Sequence, residues 1–128
     1  MKRKILLVDD DNKFTSSIKN RLTKPDNNYE ITSVNNGTKC FGLLDNNYTP
    51  DLILLDVTMP DLDGIDVFKK LKENPSWKKI PTVFLIDDGD GFNEFFVNNI
   101  LHEDYIVKPF DQDVFVNWLK KRIPSAGG

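Results

Sequence analysis

The chain has 128 residues, of which 39% are apolar and 29% are charged, and its net charge is −3. This length and composition suit one compact domain, and the scattered lysines and arginines of an acidic chain argue against a nucleic-acid surface. No apolar run is long enough for a membrane span or a secretory signal, and the one cysteine, Cys40, has no partner for an intramolecular disulfide. We therefore expect a cytoplasmic protein with a single domain over residues 1–123 and a flexible tail or linker stump at 124–128.

Short aliphatic runs alternate along the chain with segments of helical spacing. The runs are bounded by Asp, Asn, Pro or Gly, as strands are, and fall at 5–8, 29–34, 52–55, 82–86 and 105–107. Between them, apolar residues recur at three- and four-residue intervals, which predicts helices. In chain order these helical series are Phe14, Ile18 and Leu22; Cys40, Phe41 and Leu44; Ile65, Phe68 and Leu71; Phe92, Phe95, Phe96 and Ile100; and Val114, Phe115, Trp118, Leu119 and Ile123.

Four of these predicted helices follow a residue that can cap them, namely Asp11, Asn36, Asp63 and Asp111. The whole pattern is (βα)5. Strands that alternate with helices run parallel, and their near-continuous apolar runs indicate helices on both faces of the sheet. The predicted fold class is therefore α/β, a doubly wound parallel sheet in a three-layer sandwich. Such a sheet binds ligands at the carboxyl ends of its strands.

Charged residues follow four of the predicted strands. Asp9 and Asp10 follow the first, Asp56 the third, Asp87 the fourth and Lys108 the fifth, and in a parallel sheet these ends converge on one edge. Two unit charges about 4 Å apart interact by roughly 4 kcal/mol at an effective dielectric near 20, so carboxylates held together need a cation or a proton. Mg²⁺ fits, since it takes oxygen ligands and needs only one or two carboxylates before it accepts a phosphate oxygen.

A carboxylate beside a cation can act as a nucleophile toward a phosphoryl group and form an aspartyl phosphate. Phosphoryl transfer asks a protein mainly for positioning and electrostatic stabilisation. A metal ion held by Asp10, with Asp9 nearby, could counter the charge of a phosphoryl group that arrives at Asp56, and Lys108 would add a compact positive charge. The residues therefore favour phosphoryl transfer at this edge of the sheet.

Three motifs, LLVDD, LILLDVTMPDLDG and DYIVKPF, together resemble the receiver domain of bacterial two-component response regulators. They span nearly the whole chain in the family's order and at its usual spacing. The resemblance implies a flavodoxin-like fold with strand order 2-1-3-4-5. It also implies a phosphorelay signalling domain that assists its own phosphorylation and is not an enzyme.

The resemblance assigns roles to individual residues. It implies that Asp56 is the phosphoacceptor and that Lys108 contacts the phosphoryl group. It also implies an Mg²⁺ site, in which Asp9 and Asp10 form the acid pair with Asp56. The backbone carbonyl of Thr58 would be a further metal ligand. Its partner would be a sensor histidine kinase or a phosphotransfer protein. An output domain or partner would bind the face formed by the fourth helix, fifth strand and fifth helix, and neither nucleic acid nor a membrane is an expected direct partner.

The chain departs from the family at its switch positions. Counting from Asp56, Ile86 stands where a Ser or Thr is usual, and Asp87 follows where a small residue is usual, whereas Tyr105 matches the aromatic switch position. Ile86 has no hydroxyl to donate to a phosphoryl group, and Asp87 adds bulk and negative charge at the mouth of the site. Two hypotheses follow: a phosphorylatable receiver with an altered switch, or a receiver-like protein-binding module that works without phosphorylation.

A third hypothesis is a phosphatase. Asp9 and Asp11 after a strand, with the later pair Asp87 and Asp88, resemble acidic motifs of haloacid-dehalogenase-type phosphatases, which also use an aspartyl phosphate and Mg²⁺. That family places its lysine before the later acidic pair, whereas Lys108 follows it, and its domain is usually longer. The sequence therefore favours the receiver over the phosphatase.

Overall fold

The computed structural model describes residues 2–59, 62–87, 104–108 and 110–124. Every predicted strand is present, and its bounds agree with the prediction to within one residue. The strands are β1 (Lys4–Val8), β2 (Glu30–Val34), β3 (Leu52–Asp56), β4 (Thr82–Asp87) and β5 (Asp104–Lys108), and the helices are α1 (Asn12–Leu22), α2 (Gly37–Asp45), α3 (Gly64–Glu73) and a C-terminal helix (Gln112–Arg122). The helix predicted around Phe92 to Ile100 lies outside the described residues, and the domain boundary at residue 123 stays a prediction.

The strands form one sheet in the order β2-β1-β3-β4-β5, with every neighbouring pair parallel. This confirms the predicted fold class and strand order. The chain passes from β1 to β2 on one side and then continues from β3 on the other side, so the order reverses between β1 and β3. Ligand crevices of open parallel sheets lie at such a reversal, beyond the carboxyl ends of the strands.

The pleat of the strands distributes their side chains between two apolar layers. Residues of one parity pack with α2 and α3 (Leu6, Val8, Ile53, Leu55, Phe84 and Ile86), and residues of the other parity pack with α1 and the C-terminal helix (Ile5, Leu7, Leu52, Leu54, Val83 and Leu85). Both faces of the sheet are therefore covered, which explains the near-continuous apolar runs of the sequence. Within the part of the chain that the structure describes, no helix is both long and apolar enough to cross a membrane.

All four predicted helix caps are confirmed. The side chain of Asp11 accepts a hydrogen bond from the Phe14 N–H, and Asn36, Asp63 and Asp111 accept equivalent bonds at the starts of α2, α3 and the C-terminal helix. Each such cap contributes about 1 kcal/mol to helix stability. The caps at Asp11 and Asp111 also start their helices within three residues of β1 and β5, at the edge of the sheet where the charged residues lie.

Candidate functional site

Three carboxylates meet at the carboxyl ends of β1 and β3. Asp9 and Asp10 directly follow β1, Asp56 is the last residue of β3, and the two strands are neighbours in the sheet. One carboxylate oxygen from each residue lies within 4.8 Å of the others. Asp9 and Asp56 are only 2% and 1% exposed, whereas Asp10 is exposed. The structure thus brings together the acidic residues that the sequence predicts to converge.

Lys108, the last residue of β5, reaches this cluster through Asp9. Its Nζ donates a hydrogen bond of 2.7 Å to Oδ2 of Asp9, and both side chains are buried. The other oxygen of Asp9, Oδ1, accepts from the backbone N–H of Asp11 at 2.8 Å. The lysine predicted to contact a phosphoryl group on Asp56 therefore has Asp9 as its ion-pair partner in this structure.

The loop after Asp56 is held close to the start of α3. The Thr58 N–H donates to Oδ1 of Asp56 at 3.3 Å, and the Gly64 N–H donates to the Val57 carbonyl at 2.7 Å. A Cβ added at Gly64 would lie 2.8 Å from Cα of Val57 and would also meet the Asp56 carbonyl oxygen. Glycine at this position lets the start of α3 approach the backbone of Asp56 and Val57 closely.

Burial and crowding alter the protonation of the cluster. Burial, together with the negative charge of Asp9, raises the pKa of Asp56 to about 8, although Lys108 and the Thr58 N–H act in the opposite direction. Burial also raises the pKa of Asp9, and its hydrogen bond from Lys108 offsets only part of this effect. At neutral pH the metal-free site therefore holds more protons than isolated carboxyl groups would.

Lys108 stays cationic in spite of its position. Burial lowers the pKa of its ammonium, but the hydrogen bond and charge of Asp9, followed by the charges of Asp56 and Asp87, outweigh burial and leave the pKa raised. The cluster thus combines carboxylates, which favour a cation, with one permanent positive charge. Carboxylate oxygens without nitrogen or sulfur donors suit a hard cation such as Mg²⁺, Mn²⁺ or Ca²⁺.

The predicted switch positions fall in different environments. Ile86 is 2% exposed and packs in the layer of α2 and α3, so this position presents no polar group to the site. Asp87 is half-buried and lies opposite Lys108 in the register of β4 and β5. Tyr105 is 45% exposed on β5, opposite Phe84. The structure therefore places Asp87 beside the site lysine and Tyr105 on an outer strand.

One neighbour of the site was missed by the sequence analysis, which placed Phe14 only on the apolar face of a helix. The Nζ of Lys108 lies 4.3 Å from the centroid of the Phe14 ring. The position of Phe14, in the first turn of a helix that begins at the carboxyl edge of the sheet, is the signal that could have indicated it. Asp88 and Pro109, which adjoin this region in sequence, lie outside the described residues.

Comparison with known proteins decides the family. A model of the response regulator receiver domain matches residues 5–120 of the chain. The chain belongs to this family. It is a receiver domain of a two-component system, a class of signalling domains that are modified on an aspartate and are not classical enzymes.

Among curated proteins, the receiver is 36% identical over 111 residues to the transcriptional regulatory protein SrrA of Staphylococcus aureus. The match covers 86% of this chain but 43% of SrrA, so the chain spans less than half the length of that relative. The similarity therefore concerns the receiver part of SrrA.

Solved structures agree with this assignment. The phosphorylated cyanobacterial phytochrome response regulator RcpA superposes with a TM-score of 0.78 at 29% identity, over 95% of this chain and 91% of RcpA. The Mn²⁺-bound form of the response regulator Rcp1 superposes with a TM-score of 0.75 at 26% identity, over 93% of this chain and 90% of Rcp1. Both similarities confirm the receiver fold predicted from the motifs.

Proposed function

We propose that this receiver accepts a phosphoryl group on Asp56 from a phosphohistidine of a sensor histidine kinase or a phosphotransfer protein. A carboxylate oxygen of Asp56 would attack the phosphorus, and the P–N bond would break as the imidazole leaves with the electron pair and takes up a proton. The observation that carries this proposal is the buried position of Asp56 at the edge of the sheet, with Asp9, Asp10 and Lys108 around it. The phosphorylated structure of RcpA supports it.

We propose Mg²⁺ as the cation of this site. Asp9, Asp10 and Asp56 would hold the ion through carboxylate oxygens, together with the backbone carbonyl of Thr58. When bound, Mg²⁺ supplies positive charge against the carboxylates and the phosphoryl oxygens. The raised pKa of Asp56 supports this proposal, because the single charge of Lys108 does not offset burial and the charge of Asp9. The Mn²⁺-bound form of Rcp1 supports a divalent ion at this kind of site.

Lys108 would supply the second positive charge. Its ammonium is a compact point charge on a flexible stem, which suits contact with a phosphate oxygen. In this structure the ammonium donates a hydrogen bond to Asp9, and the charge of Asp56 also acts on it, so both carboxylates are near the ammonium. A phosphoryl group on Asp56 would therefore compete with Asp9 for Lys108. In this way the receiver's own residues would assist its phosphorylation without turnover of a substrate.

The phosphoacceptor is tested by incubation with Mg²⁺ and acetyl phosphate, followed by mass spectrometry of the intact protein. The expected result is one added phosphoryl group that is absent without Mg²⁺ and absent in Asp56→Asn. Asp51→Asn is a matched control, because Asp51 directly precedes β3 at its other end and forms an ion pair with Arg3. A protein that gains no phosphoryl group, even from a cognate kinase, would contradict the proposal.

The burial of Ile86 favours a second candidate, a receiver-like binding module that works without phosphorylation. The family's switch needs a hydroxyl that moves toward the phosphoryl group, whereas Ile86 is part of the apolar layer under α2 and α3. The two candidates are separated by amide NMR with Mg²⁺ and beryllofluoride, a phosphoryl mimic. Shifts that reach Tyr105 support the phosphorylation-dependent receiver, and shifts confined to the surroundings of Asp56 support the binding module.

The phosphatase hypothesis is disfavoured by the sequence, and membership of the receiver family argues further against it. It depends on the pair of Asp87 and Asp88, and Asp88 lies outside the described residues. Turnover of an aryl phosphate that is lost in Asp9→Asn and kept in Asp56→Asn would support it over the receiver mechanism.

We propose β5 and the C-terminal helix as part of the face that binds an output domain or partner. Tyr105 on β5 and Val114 on the C-terminal helix are 45% and 67% exposed, and they are the exposed large apolar side chains of the described residues. Exposed apolar side chains on these two elements suit contact with a protein partner in the cytoplasm. Loss of partner binding in Val114→Asp, with acetyl phosphate labelling of Asp56 unchanged, would support this assignment.

A further inference from the structure

The ammonium of Lys108 contacts two groups of different chemistry, a carboxylate and an aromatic ring. It donates to the Asp9 carboxylate at 2.7 Å, and it lies 4.3 Å from the centroid of the Phe14 ring. An ammonium within about 6 Å of a ring centroid is attracted by the negative face of the ring, and the attraction grows as water is excluded. Lys108 is buried, so its contact with Phe14 belongs to the stronger kind.

The ring of Phe14 also packs against a second aromatic ring. Phe110 packs against it edge to face, with ring centroids 5.6 Å apart and an interplanar angle of 86°. Phe110 in turn lies 4.9 Å from the ring of Phe115, which is buried against the sheet. Phe14 is therefore a fixed surface for the lysine rather than a side chain that happens to lie near it.

We propose that Phe14 is a positioning residue for Lys108, and this inference rests on the proposed function. Asp9 is both the partner of Lys108 and a proposed metal ligand, so its carboxylate is shared between two positive charges once the site is loaded. Lys108 then depends less on Asp9, and its flexible stem would let the ammonium move to solvent. The ring of Phe14 remains as a contact that metal ligation does not remove, and it keeps the ammonium beside the cluster where a phosphoryl oxygen on Asp56 would need it.

Loss of the Phe14 ring should affect the Mg²⁺ affinity and the beryllofluoride affinity differently. Phe14 offers no ligand atom to a metal ion, so its loss should change the Mg²⁺ affinity by less than about twofold. A cation–π contact at a desolvated site corresponds to a change of roughly thirtyfold in an equilibrium constant. Phe14→Leu should therefore weaken beryllofluoride binding at saturating Mg²⁺ by about that factor, measured by calorimetry.

Two further substitutions at this position isolate the aromatic face. Phe14→Met keeps apolar bulk without a ring and should weaken beryllofluoride binding as Phe14→Leu does, which covers the case in which one of them folds poorly. Phe14→Tyr keeps the ring and should bind beryllofluoride within about twofold of the wild type. Phe41→Leu is the matched control elsewhere in the chain, because Phe41 also carries a lysine, Lys70, 5.8 Å from its ring centroid but lies in the layer of α2 and α3.

NMR gives a readout that does not need a bound ligand. In the wild type, the Lys108 side-chain methylene protons should be shifted upfield by the ring current of Phe14. This shift should be lost in Phe14→Leu and kept in Phe41→Leu. Equal beryllofluoride affinity in the wild type and Phe14→Leu, or an equal loss in Phe41→Leu, would overturn the positioning role while the proposed function stands. Failure of the wild type to bind beryllofluoride with Mg²⁺ would overturn the proposed function and this inference together.

Discussion

The ammonium of Lys108 and the carboxylate of Asp9 form a buried ion pair with a 2.7 Å hydrogen bond between residues 99 positions apart in the sequence. The pair joins the carboxyl end of β5 to that of β1 across the cluster of carboxylates. Each partner has a second use in the proposed mechanism, since Asp9 is a metal ligand and Lys108 binds the phosphoryl group. Changes to either partner should therefore affect metal binding and phosphoryl binding separately.

Lys108→Met tests this separation. Removal of a positive charge beside the carboxylates should leave the Mg²⁺ affinity unchanged or higher, whereas the affinity for beryllofluoride at saturating Mg²⁺ should fall about tenfold or more, because a charge-assisted hydrogen bond is lost. Calorimetric titration of each ligand measures both effects. Lys13→Met, an exposed lysine of α1, is the control and should change neither affinity. A fall in Mg²⁺ affinity in Lys108→Met would contradict the assigned role.

Asp56 should make the metal-free protein less stable as pH rises. Its folded pKa is about 8, above the unfolded value near 3.9, so between these two values the folded state binds more protons than the unfolded state. The free energy of unfolding should then fall with increasing pH between about pH 4 and pH 8, by at most about 1.4 kcal/mol per pH unit from this group. Urea denaturation in the presence of a chelator measures the slope.

Asp56→Asn provides the matched comparison for that slope. The amide cannot titrate, so the variant should lose this contribution and should be more stable than the wild type at pH 8 by about 1–2 kcal/mol. Addition of Mg²⁺ should narrow the difference, because the ion supplies the missing positive charge in the wild type. If both proteins showed the same pH dependence without metal, the raised pKa of Asp56 would be wrong.

Gly64→Ala should damage the loop that carries Asp56. The new methyl group would lie 2.8 Å from Cα of Val57 and would also meet the Asp56 carbonyl, so the start of α3 must move away from β3. We expect a loss of about 2–3 kcal/mol in the free energy of unfolding, together with weaker Mg²⁺ binding. Urea denaturation and calorimetry measure the two effects.

Gly42 offers the control for this change, since it lies within α2 and an added Cβ there would have no neighbour within 4 Å. Gly42→Ala should stabilise the protein by about 0.5–1 kcal/mol, because alanine has the higher helix propensity. Similar losses in both variants would indicate that close packing at Gly64 is not the cause.

Asp87→Asn should strengthen the binding of phosphoryl mimics. Asp87 lies opposite Lys108 in the register of β4 and β5, and its charge acts on that lysine. Removal of this negative charge leaves Lys108 more available to an anion and lowers repulsion at the mouth of the site, so beryllofluoride affinity should rise by about three- to tenfold. Asp45→Asn at the end of α2 is the control. An unchanged affinity would show that Asp87 does not face the bound anion.

Cys40 should be inert in the folded protein. Its side chain is buried in the layer of α2 and α3, and burial raises the pKa of the thiol to about 12, so almost no thiolate exists at pH 8. Reaction with a disulfide reagent at pH 8 should be slow in buffer and fast in concentrated urea, measured by the release of the chromophore. Rapid reaction under native conditions would mean that α2 opens readily from the sheet.

The sequence predicts the parts of this receiver that depend on local or periodic signals. Capping residues such as Asp11 and Asp63 start helices through hydrogen bonds within three positions, and apolar runs mark the strands to within one residue. The convergence of Asp10 and Asp56 follows from parallel strands alone, because their ends must share one edge of the sheet.

The sequence does not predict side-chain contacts between segments that are distant along the chain. The sheet places Asp56 two strands from Lys108 and Asp9 three strands away, yet the lysine pairs with Asp9, and no sequence pattern indicates this choice. The contact with Phe14 joins the first turn of α1 to the end of β5, and no motif encodes this contact between distant segments. The roles of Ile86 and Tyr105 as switch positions stay predictions.

The strand order separates the proposed phosphoacceptor from the proposed binding face. β3, which ends in Asp56, is the middle strand and is buried along its whole length, whereas β5 lies at one margin and is partly exposed. Native-state hydrogen exchange should therefore find the slowest amides next to Asp56 and faster ones along β5, since opening of a margin breaks fewer contacts than opening of a centre. With this strand order, the proposed phosphoacceptor lies on a strand buried between neighbours on both sides, whereas the proposed binding face includes a strand with a neighbour on one side only.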